Sequence, residues 1–275
     1  MSPSSFRILA VAAVVFFAGS AVFLLINVGA AEVPQDTVSA AMDSTTTSST
    51  STSSTSTTST TTTTTSTIPP KGTLVIHGTG DVNLDPTYIP AFASNGYDYA
   101  WEAVHGVFAD DDLTVINLEC APSDIGEPES KEFVFRCPTE SLDSLEPAGI
   151  EVVNLGNNHS GDYGKEALVD GLAQVTEAGV ASVGVGANAD EAGAPAVFDI
   201  EGWTVAVVGF GGVVPNQPWV ASADRPGMRD GDDVTSMVGA VEAADEIADI
   251  VVVSIHWGVE LDTEPLLRMS SGPRR

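Results

Sequence analysis

The sequence predicts an α/β domain, a layered β-sheet with flanking helices, behind one N-terminal membrane segment. Three observations carry this prediction. Short runs rich in β-branched residues alternate with helix-like stretches after residue 71. An uncharged apolar run of 21 residues fills positions 8 to 28, and 24 consecutive Ser or Thr residues fill positions 44 to 67. The chain of 275 residues therefore divides into an anchor, a spacer and one domain.

Residues 1–31 are predicted to be a transmembrane anchor or a signal peptide. The apolar run is long enough to cross a bilayer, and Arg7 is the only charged residue before it. Cleavage stays open, because Val28 and Ala30 offer the small residues that signal peptidase needs, whereas the run is longer than a typical signal core. An uncleaved single-pass anchor is favoured, which places the rest of the chain outside the cell membrane; cleavage would make it secreted.

Residues 32–70 are predicted to form a low-complexity stalk. Ser and Thr bury nothing, so the tract cannot offset the entropy cost of folding, and Pro69 and Pro70 close it. Its composition is typical of a flexible or O-glycosylated spacer.

Residues 71–275 are long enough for one domain with a core. They carry 9 basic and 35 acidic residues, a net charge of −26. So acidic a surface argues against nucleic acid or anionic lipid as a partner, because both would be repelled.

The alternating pattern predicts six strands, four helices and a hairpin. The strands are 73–79, 113–118, 151–156, 181–185, 204–210 and 250–255, and the helices are 98–109, 139–148, 164–178 and 233–248. The hairpin spans 195–208 and turns at Glu201-Gly202.

Cys120 and Cys137 are the only cysteines. An exported chain with an even number of cysteines permits one disulfide, and the alternative is two unpaired thiols, one of them beside a candidate metal ligand.

Polar side chains stand at the carboxyl ends of four predicted strands. Asp81 ends LVIHGTGD, Glu119 ends LTVINLE after Asn117, Asn157, Asn158 and His159 end VVNLGNNH, and His256 follows IVVVSI. Open α/β sheets place ligands at the carboxyl edge, so these ends are expected to converge. Carboxylate, amide and imidazole groups suit Mn, Zn or Fe, which predicts a divalent metal site. His77 inside the first strand and His105 inside a helix are expected to have structural roles.

These residues belong to a longer pattern. The motifs GTGDVNL at 78–84, NLE at 117–119, GNNHSGDYG at 156–164, GVGAN at 184–188 and SIHWGVE at 254–260 follow one another in order. Over roughly residues 72–265 the pattern resembles the CapA family of poly-γ-glutamate capsule synthesis. That family looks like a branch of the calcineurin-like metallophosphatases, so the resemblance implies a metallophosphatase-like domain over 71–275.

The resemblance implies a role for each strand-end residue. Asp81, Glu119, Asn158 and His256 match metal-binding positions, with Glu119 where the superfamily has its bridging carboxylate. His159 matches the catalytic histidine beside the reacting phosphate. The superfamily has a further histidine where this chain has Asn83.

The resemblance also implies a His-rich segment after the HWG strand, which this sequence does not contain. The domain is therefore expected to be partial, C-terminally truncated and short of metal ligands. Enzymatic activity is left uncertain, as a metal-dependent phosphoesterase-type hydrolase if the missing ligands exist.

The predicted function is that of a membrane-anchored extracellular protein of capsule polymer biosynthesis or export with a two-metal phosphoesterase-like site. The alternative is a non-catalytic scaffold or polymer-handling subunit that keeps the fold. Expected partners are the capsule polymer or its phosphorylated precursors, membrane synthase subunits and, through the N-terminal helix, the membrane.

Overall fold

The computed structural model of the protein describes Val11–Val15, 71–215 and 217–258. The predicted stalk and most of the predicted anchor lie outside these residues. Val11–Val15, which fall within the predicted anchor, form strand β1 beside the last strand of the domain. Among the helices in the described ranges, none is long and apolar enough to span a bilayer. The anchor and the stalk therefore stay predictions.

Two four-stranded sheets form the centre of the domain. The first has the order β2-β3-β4-β5 and is parallel throughout, with β2 at Ile76–Val82, β3 at Leu113–Leu118, β4 at Val152–Asn154 and β5 at Ala181–Val183. The second has the order β1-β10-β8-β7, with β7 at Ala196–Ile200, β8 at Trp203–Gly211 and β10 at Ile250–His256. Strand β10 runs parallel to β8, and β7 runs antiparallel to it. Two short strands, β6 at Val185–Gly186 and β9 at Gly227–Met228, form an antiparallel pair.

Helices and 3₁₀ turns connect the strands. The α-helices are α1 at Phe92–Asn95, α2 at Thr139–Leu142, α3 at Gly164–Glu177, α4 at Ala189–Ala192 and α5 at Val234–Asp245. The 3₁₀ turns are Tyr97–Ala100, Glu102–Val104, Glu146–Ala148 and Gln217–Trp219.

The strands bury alternate residues on opposite faces, which produces a layered domain. In β8, Val205 and Val207 pack into the cluster between the two sheets, whereas Val208 and Phe210 pack beneath α5. In the first sheet, Leu113 faces the same inter-sheet cluster, and the other face of β3 packs in the core that includes residues of α3. This period of two is the expected side-chain alternation of a strand. The mixed α/β architecture with a parallel sheet is confirmed and fits a metallophosphatase-like fold.

Several predicted elements are confirmed. Strand β3 has the predicted bounds, and α3 and α5 lie within their predicted ranges. The hairpin consists of β7 and β8. Its turn residues Glu201 and Gly202 have φ values of 50° and 80°, the left-handed pair that a tight type I′ turn requires.

The predicted helices 98–109 and 139–148 are wrong in part. The first is replaced by two 3₁₀ turns that end where His105 and Gly106 take left-handed backbone conformations, with φ of 51° and 77°. His105 therefore does not lie inside a helix. The second stops at Leu142, and a 3₁₀ turn follows, because Pro147 supplies no N–H and clashes with the preceding turn of an α-helix.

The first strand begins and ends three residues later than predicted. Pairing with β3 carries it past Gly78 and Gly80 to Val82, with an irregularity between Gly78 and Asp81. Asp81 therefore lies inside the strand, at the irregularity, and not after its end.

Cys120 and Cys137 form the disulfide that the sequence permitted, with their Cα atoms 5.5 Å apart. Both are fully buried. The disulfide ties the end of β3 to the loop that returns toward α2.

Candidate metal centre

The carboxyl ends of both sheets meet at one place, and four candidate metal ligands lie there. We call Asp81, Glu119, Asn158 and His256 the cation cluster. One ligand atom from each of Asp81, Glu119 and His256 lies within 4.8 Å of the other two. Asn158 completes the group, since its Oδ1 lies 2.9 Å from His256 Nε2. The sequence prediction that these residues converge is therefore confirmed, whereas their roles as ligands stay a prediction.

The first sheet positions Asp81 and Glu119. Asp81 lies beside Asn117 of β3 in the strand register, and the Asn117 amide donates to its Oδ1 at 2.7 Å. Glu119 comes directly after β3, and its backbone N–H donates to Val82 O at 2.8 Å. The strand pairing thus fixes both carboxylates on one edge.

Asn157 shapes the turn that presents Asn158 and His159. This fully buried side chain donates to Leu118 O at 2.8 Å and to Asn117 Oδ1 at 3.2 Å. Its own Oδ1 accepts the backbone N–H groups of His159 and Ser160 at 3.0 Å each. The turn over residues 158–160 is therefore held against the end of β3.

The second sheet contributes His256, the last residue of β10. Its Nδ1 lies 3.2 Å from Asp81 Oδ1, and its Nε2 lies 3.6 Å from Glu119 Oε1. Burial disfavours a charged imidazole, but the hydrogen bond and charge of Asp81 and the charge of Glu119 outweigh burial and raise the pKa of His256 above its ordinary value.

The pKa of Asp81 shifts in the opposite direction to that of His256. Burial alone would raise the pKa of Asp81, but the hydrogen bond and charge of His256 and the hydrogen bond of Asn117 lower it below its ordinary value. The pKa shifts of Asp81 and His256 thus have opposite directions and a common cause, their mutual contact.

His159 lies beside the cation cluster in a second group of side chains. We call His159, Asp162, Lys131 and Phe135 the histidine brace. His159 Nδ1 lies 2.6 Å from Asp162 Oδ2, and the ring stacks on Phe135 with centroids 4.0 Å apart. His159 Nε2 lies 3.8 Å from Glu119 Oε1, so the free edge of the imidazole is turned toward the cluster.

Asp162 is the centre of the brace. Its carboxylate is fully buried and accepts from Lys131 Nζ at 2.7 Å and from Phe135 N at 2.7 Å, besides its contact with His159. Lys131 Nζ also donates to Asn158 O at 2.7 Å, which joins the brace to the cluster. The sequence prediction missed Asp162 and Lys131, although the spacing of three residues between His159 and Asp162 was a signal available in the GNNHSGDYG motif.

Asn83 lies near the cluster but is engaged in a local turn. Its Oδ1 accepts the backbone N–H of Asp85 at 2.8 Å. His77 lies inside β2, as predicted, and its Nδ1 contacts Asp111 Oδ2 at 2.6 Å.

Comparison with known proteins places the chain in a family. Residues 75–270 match the family model described as "Bacterial capsule synthesis protein PGA_cap". The chain is 27% identical over 189 residues to "PGA biosynthesis protein CapA" of Bacillus subtilis, covering 68% of this chain and 49% of that protein. It is 34% identical over 158 residues to a "Probable polyglutamine synthesis accessory protein" of Mycobacterium tuberculosis, covering 54% of this chain and 41% of that protein.

A third relative is the "Capsule biosynthesis protein CapA" of Bacillus anthracis, 30% identical over 144 residues, covering 51% of this chain and 35% of that protein. The chain thus spans about half the length, or less, of these relatives.

Proposed function

The chain belongs to the bacterial capsule synthesis protein family PGA_cap, and we propose that its domain performs metal-dependent phosphoester chemistry in the synthesis or export of a capsule polymer of the polyglutamate type. The observation that carries the proposal is the cation cluster. Two carboxylates and one imidazole offer ligand atoms within 4.8 Å of one another at the joined edges of two sheets.

The donor set fits a divalent cation. Carboxylate, imidazole and amide oxygen ligands suit Mn, Zn or Fe. Ligand distances of about 2.0–2.2 Å place two ligands of one ion roughly 4 Å apart or less, close to the spread of this cluster. Asp81, Glu119, His256 and Asn158 would hold the ion. Within the part of the chain that the structure describes, the ligand atoms of this cluster lie close enough together to hold one ion. The second ion that the resemblance implies remains part of the proposal.

His159 is the proposed proton donor. A bound cation would lower the pKa of a water ligand and polarise a phosphoryl oxygen. Asp162 holds His159 through Nδ1, so Nε2 is the nitrogen that faces the cluster. A protonated Nε2 would donate a hydrogen bond or proton to the leaving oxygen of a phosphoester, and the buried Asp162 carboxylate would stabilise the imidazolium.

The setting of this chemistry is also proposed. The apolar segment 8–28 would anchor the chain, and the Ser/Thr tract 44–67 would hold the domain outside the membrane, near the emerging polymer. The partners would be the polymer or its phosphorylated precursors, together with membrane synthase subunits. The net charge of −26 after the stalk argues against nucleic acid.

Hydrolysis of bis-p-nitrophenyl phosphate by metal-stripped protein, with Mn²⁺, Zn²⁺ or Fe²⁺ added back, tests the proposal. We expect turnover that depends on one of these ions and that falls by about 100-fold or more in His159→Asn, since general acid catalysis contributes roughly 10²–10⁴-fold. The matched control is His77→Asn, which changes a histidine at the other end of β2 and should leave turnover unchanged. Equal turnover in the His159 variant and the wild type would contradict the role of His159.

The second candidate is a non-catalytic polymer-handling subunit. It is favoured by the size of the cluster, which within the described residues suits one ion, and by the engagement of Asn83 with Asp85. Capsule complementation separates the two functions: Asn158→Ala and His159→Ala abolish the polymer if the domain is an enzyme and spare it if the domain is a scaffold.

A further inference from the structure

A groove runs from Asp81 along the segment that follows β2. Its volume is about 660 Å³, within the range of roughly 300–1,000 Å³ that small-molecule sites occupy. Asp81 is the point of contact with the cation cluster, because the same residue lines the groove and offers a candidate ligand. The groove therefore borders the candidate metal centre at Asp81.

Packing holds the walls of the groove in place. Trp101 donates from Nε1 to Ser144 Oγ at 3.0 Å, which fixes the indole against the segment that carries α2. Phe92 is buried and contacts the ring of Tyr97 with centroids 5.2 Å apart. The left-handed conformation of His105, which also lines the groove, ends the second 3₁₀ turn. Contacts within the domain therefore hold the walls of the groove.

The lining is mostly apolar and carries negative charge. Apolar side chains form most of it, among them Val82, Leu84, Ile89, Phe92 and Trp101. The charged members are Asp81 and Glu102, and none of the described residues that line it is Lys or Arg. A polyanionic chain would meet like charges here and find no cation to pair with, whereas an aliphatic chain needs none.

We propose that this groove binds the aliphatic or isoprenoid chain of an amphiphilic phosphate whose phosphate group lies at the cation cluster. The phosphate end rests on the proposed function. The apolar end rests on the groove alone, so the two parts can fail separately. The substrate class that follows is a lipid-linked phosphate.

The test is a titration series with n-alkyl phosphates of two to ten carbons, below their critical micelle concentrations, against the full chain supplied with Mn²⁺. Affinity is expected to rise about two- to four-fold with each added methylene, the gain for burying a CH₂ in an apolar site. A parallel series of n-alcohols from hexanol to decanol measures binding of the alkyl chain to the groove in the absence of a phosphate group.

Two matched variants test whether the alkyl chain of the ligand lies in the groove. Ala103→Glu places a carboxylate in the groove lining, whereas Ala93→Glu places one outside the lining on the same segment; both positions are exposed. We expect Ala103→Glu to abolish the dependence on chain length and Ala93→Glu to retain it.

The outcomes separate the groove from the metal site. A dependence on chain length in the alcohols without any effect of Mn²⁺ on the phosphates supports the groove and contradicts the proposed function. Affinity that does not change with chain length overturns the groove, and so does a length dependence that survives in Ala103→Glu. Displacement of decanol by tetra-γ-glutamate would also overturn it, since a polyanion would then occupy the same site.

Discussion

Two histidines lie at the carboxyl edge of the sheets, and their surroundings differ. His256 lies among the candidate metal ligands, whereas His159 is held by a buried carboxylate beside them. In the cation cluster, His256 lies between two carboxylates, 3.2 Å from Asp81 and 3.6 Å from Glu119. In the histidine brace, the carboxylate of Asp162 accepts from a lysine, a backbone N–H and an imidazole and is fully buried.

This difference assigns cation binding to the cluster and the orientation of His159 to the brace. The cluster concentrates carboxylates where a cation can replace a proton, so its geometry is expected to change when it is loaded. The brace has satisfied its buried charge, so it holds one imidazole in one orientation whether or not a cation is bound. Changes in the cluster should therefore alter metal affinity, and changes in the brace should alter stability and turnover.

The largest expected effect is the loss of metal binding in Asp81→Asn. Removing a charged ligand should weaken the affinity well beyond the roughly 10- to 100-fold cost of losing an outer-shell partner. Competition with a fluorescent chelator measures the change. The control is Asp98→Asn, an exposed residue of the first 3₁₀ turn, which should bind like the wild type. If Asp81→Asn binds the metal within threefold of the wild-type affinity, Asp81 is not a metal ligand.

The disulfide ties the two regions together. Glu119 precedes Cys120, and the loop closed by the disulfide carries Lys131 and Phe135. Replacing both cysteines by Ala should lower the free energy of unfolding by about 3 kcal/mol for a loop of this length in the chain-entropy model. Urea unfolding of the variant beside the wild type measures it. An unchanged midpoint with an unchanged slope would show that the loop is held by other contacts.

Asp162→Asn should damage the brace and spare the cluster. Charged hydrogen bonds to Lys131 and His159 are lost, and a loss of about 2 kcal/mol in the free energy of unfolding is expected. Metal affinity should stay within threefold of the wild type, while phosphodiester turnover falls. Chemical denaturation and chelator competition on the same preparation report both. If Asp162→Asn loses metal as completely as Asp81→Asn, the brace and the cluster do not have separate roles.

The smallest expected effect is the pH dependence of the metal-free protein. The pKa of His256 is raised in the folded state, so protonation of His256 contributes stability that is fully present below its unfolded pKa of about 6.5 and is lost as pH rises through the folded pKa. The melting temperature in EDTA should therefore fall as pH rises above 6.5, and His256→Gln should flatten that part of the profile. A profile in the variant identical to that of the wild type would contradict the raised pKa of His256. Metal affinity should rise over the same pH range, because a cation competes with this proton.

Sequence reasoning predicted that these residues converge because strands of an α/β fold place polar side chains at their carboxyl ends, but it did not predict that His256 comes from a second sheet. The apolar runs before Asp81, Glu119, Asn158 and His256 were sufficient to place those four residues together. The β-branched run of β3, and Gly164 and Gly179 at the ends of α3, likewise gave the bounds of these elements to within one residue.

The brace could not be predicted in the same way. Lys131 and Phe135 come from an irregular loop whose path depends on the disulfide and on contacts with Asp162, and loops carry no periodic signal. The segment 98–109 was predicted as one helix, but it forms two 3₁₀ turns, Tyr97–Ala100 and Glu102–Val104. Left-handed conformations at His105 and Gly106 end the second turn, and that choice depends on tertiary packing.

The most direct test of the cation cluster is the metal content of the full chain after stripping with EDTA, reloading with Mn²⁺, Zn²⁺ or Fe²⁺ and extensive dialysis. Elemental analysis should find at least one equivalent of one of these ions per wild-type chain, the same amount in Asp162→Asn, and background in Asp81→Asn. Background metal in the wild type with all three ions would contradict the account.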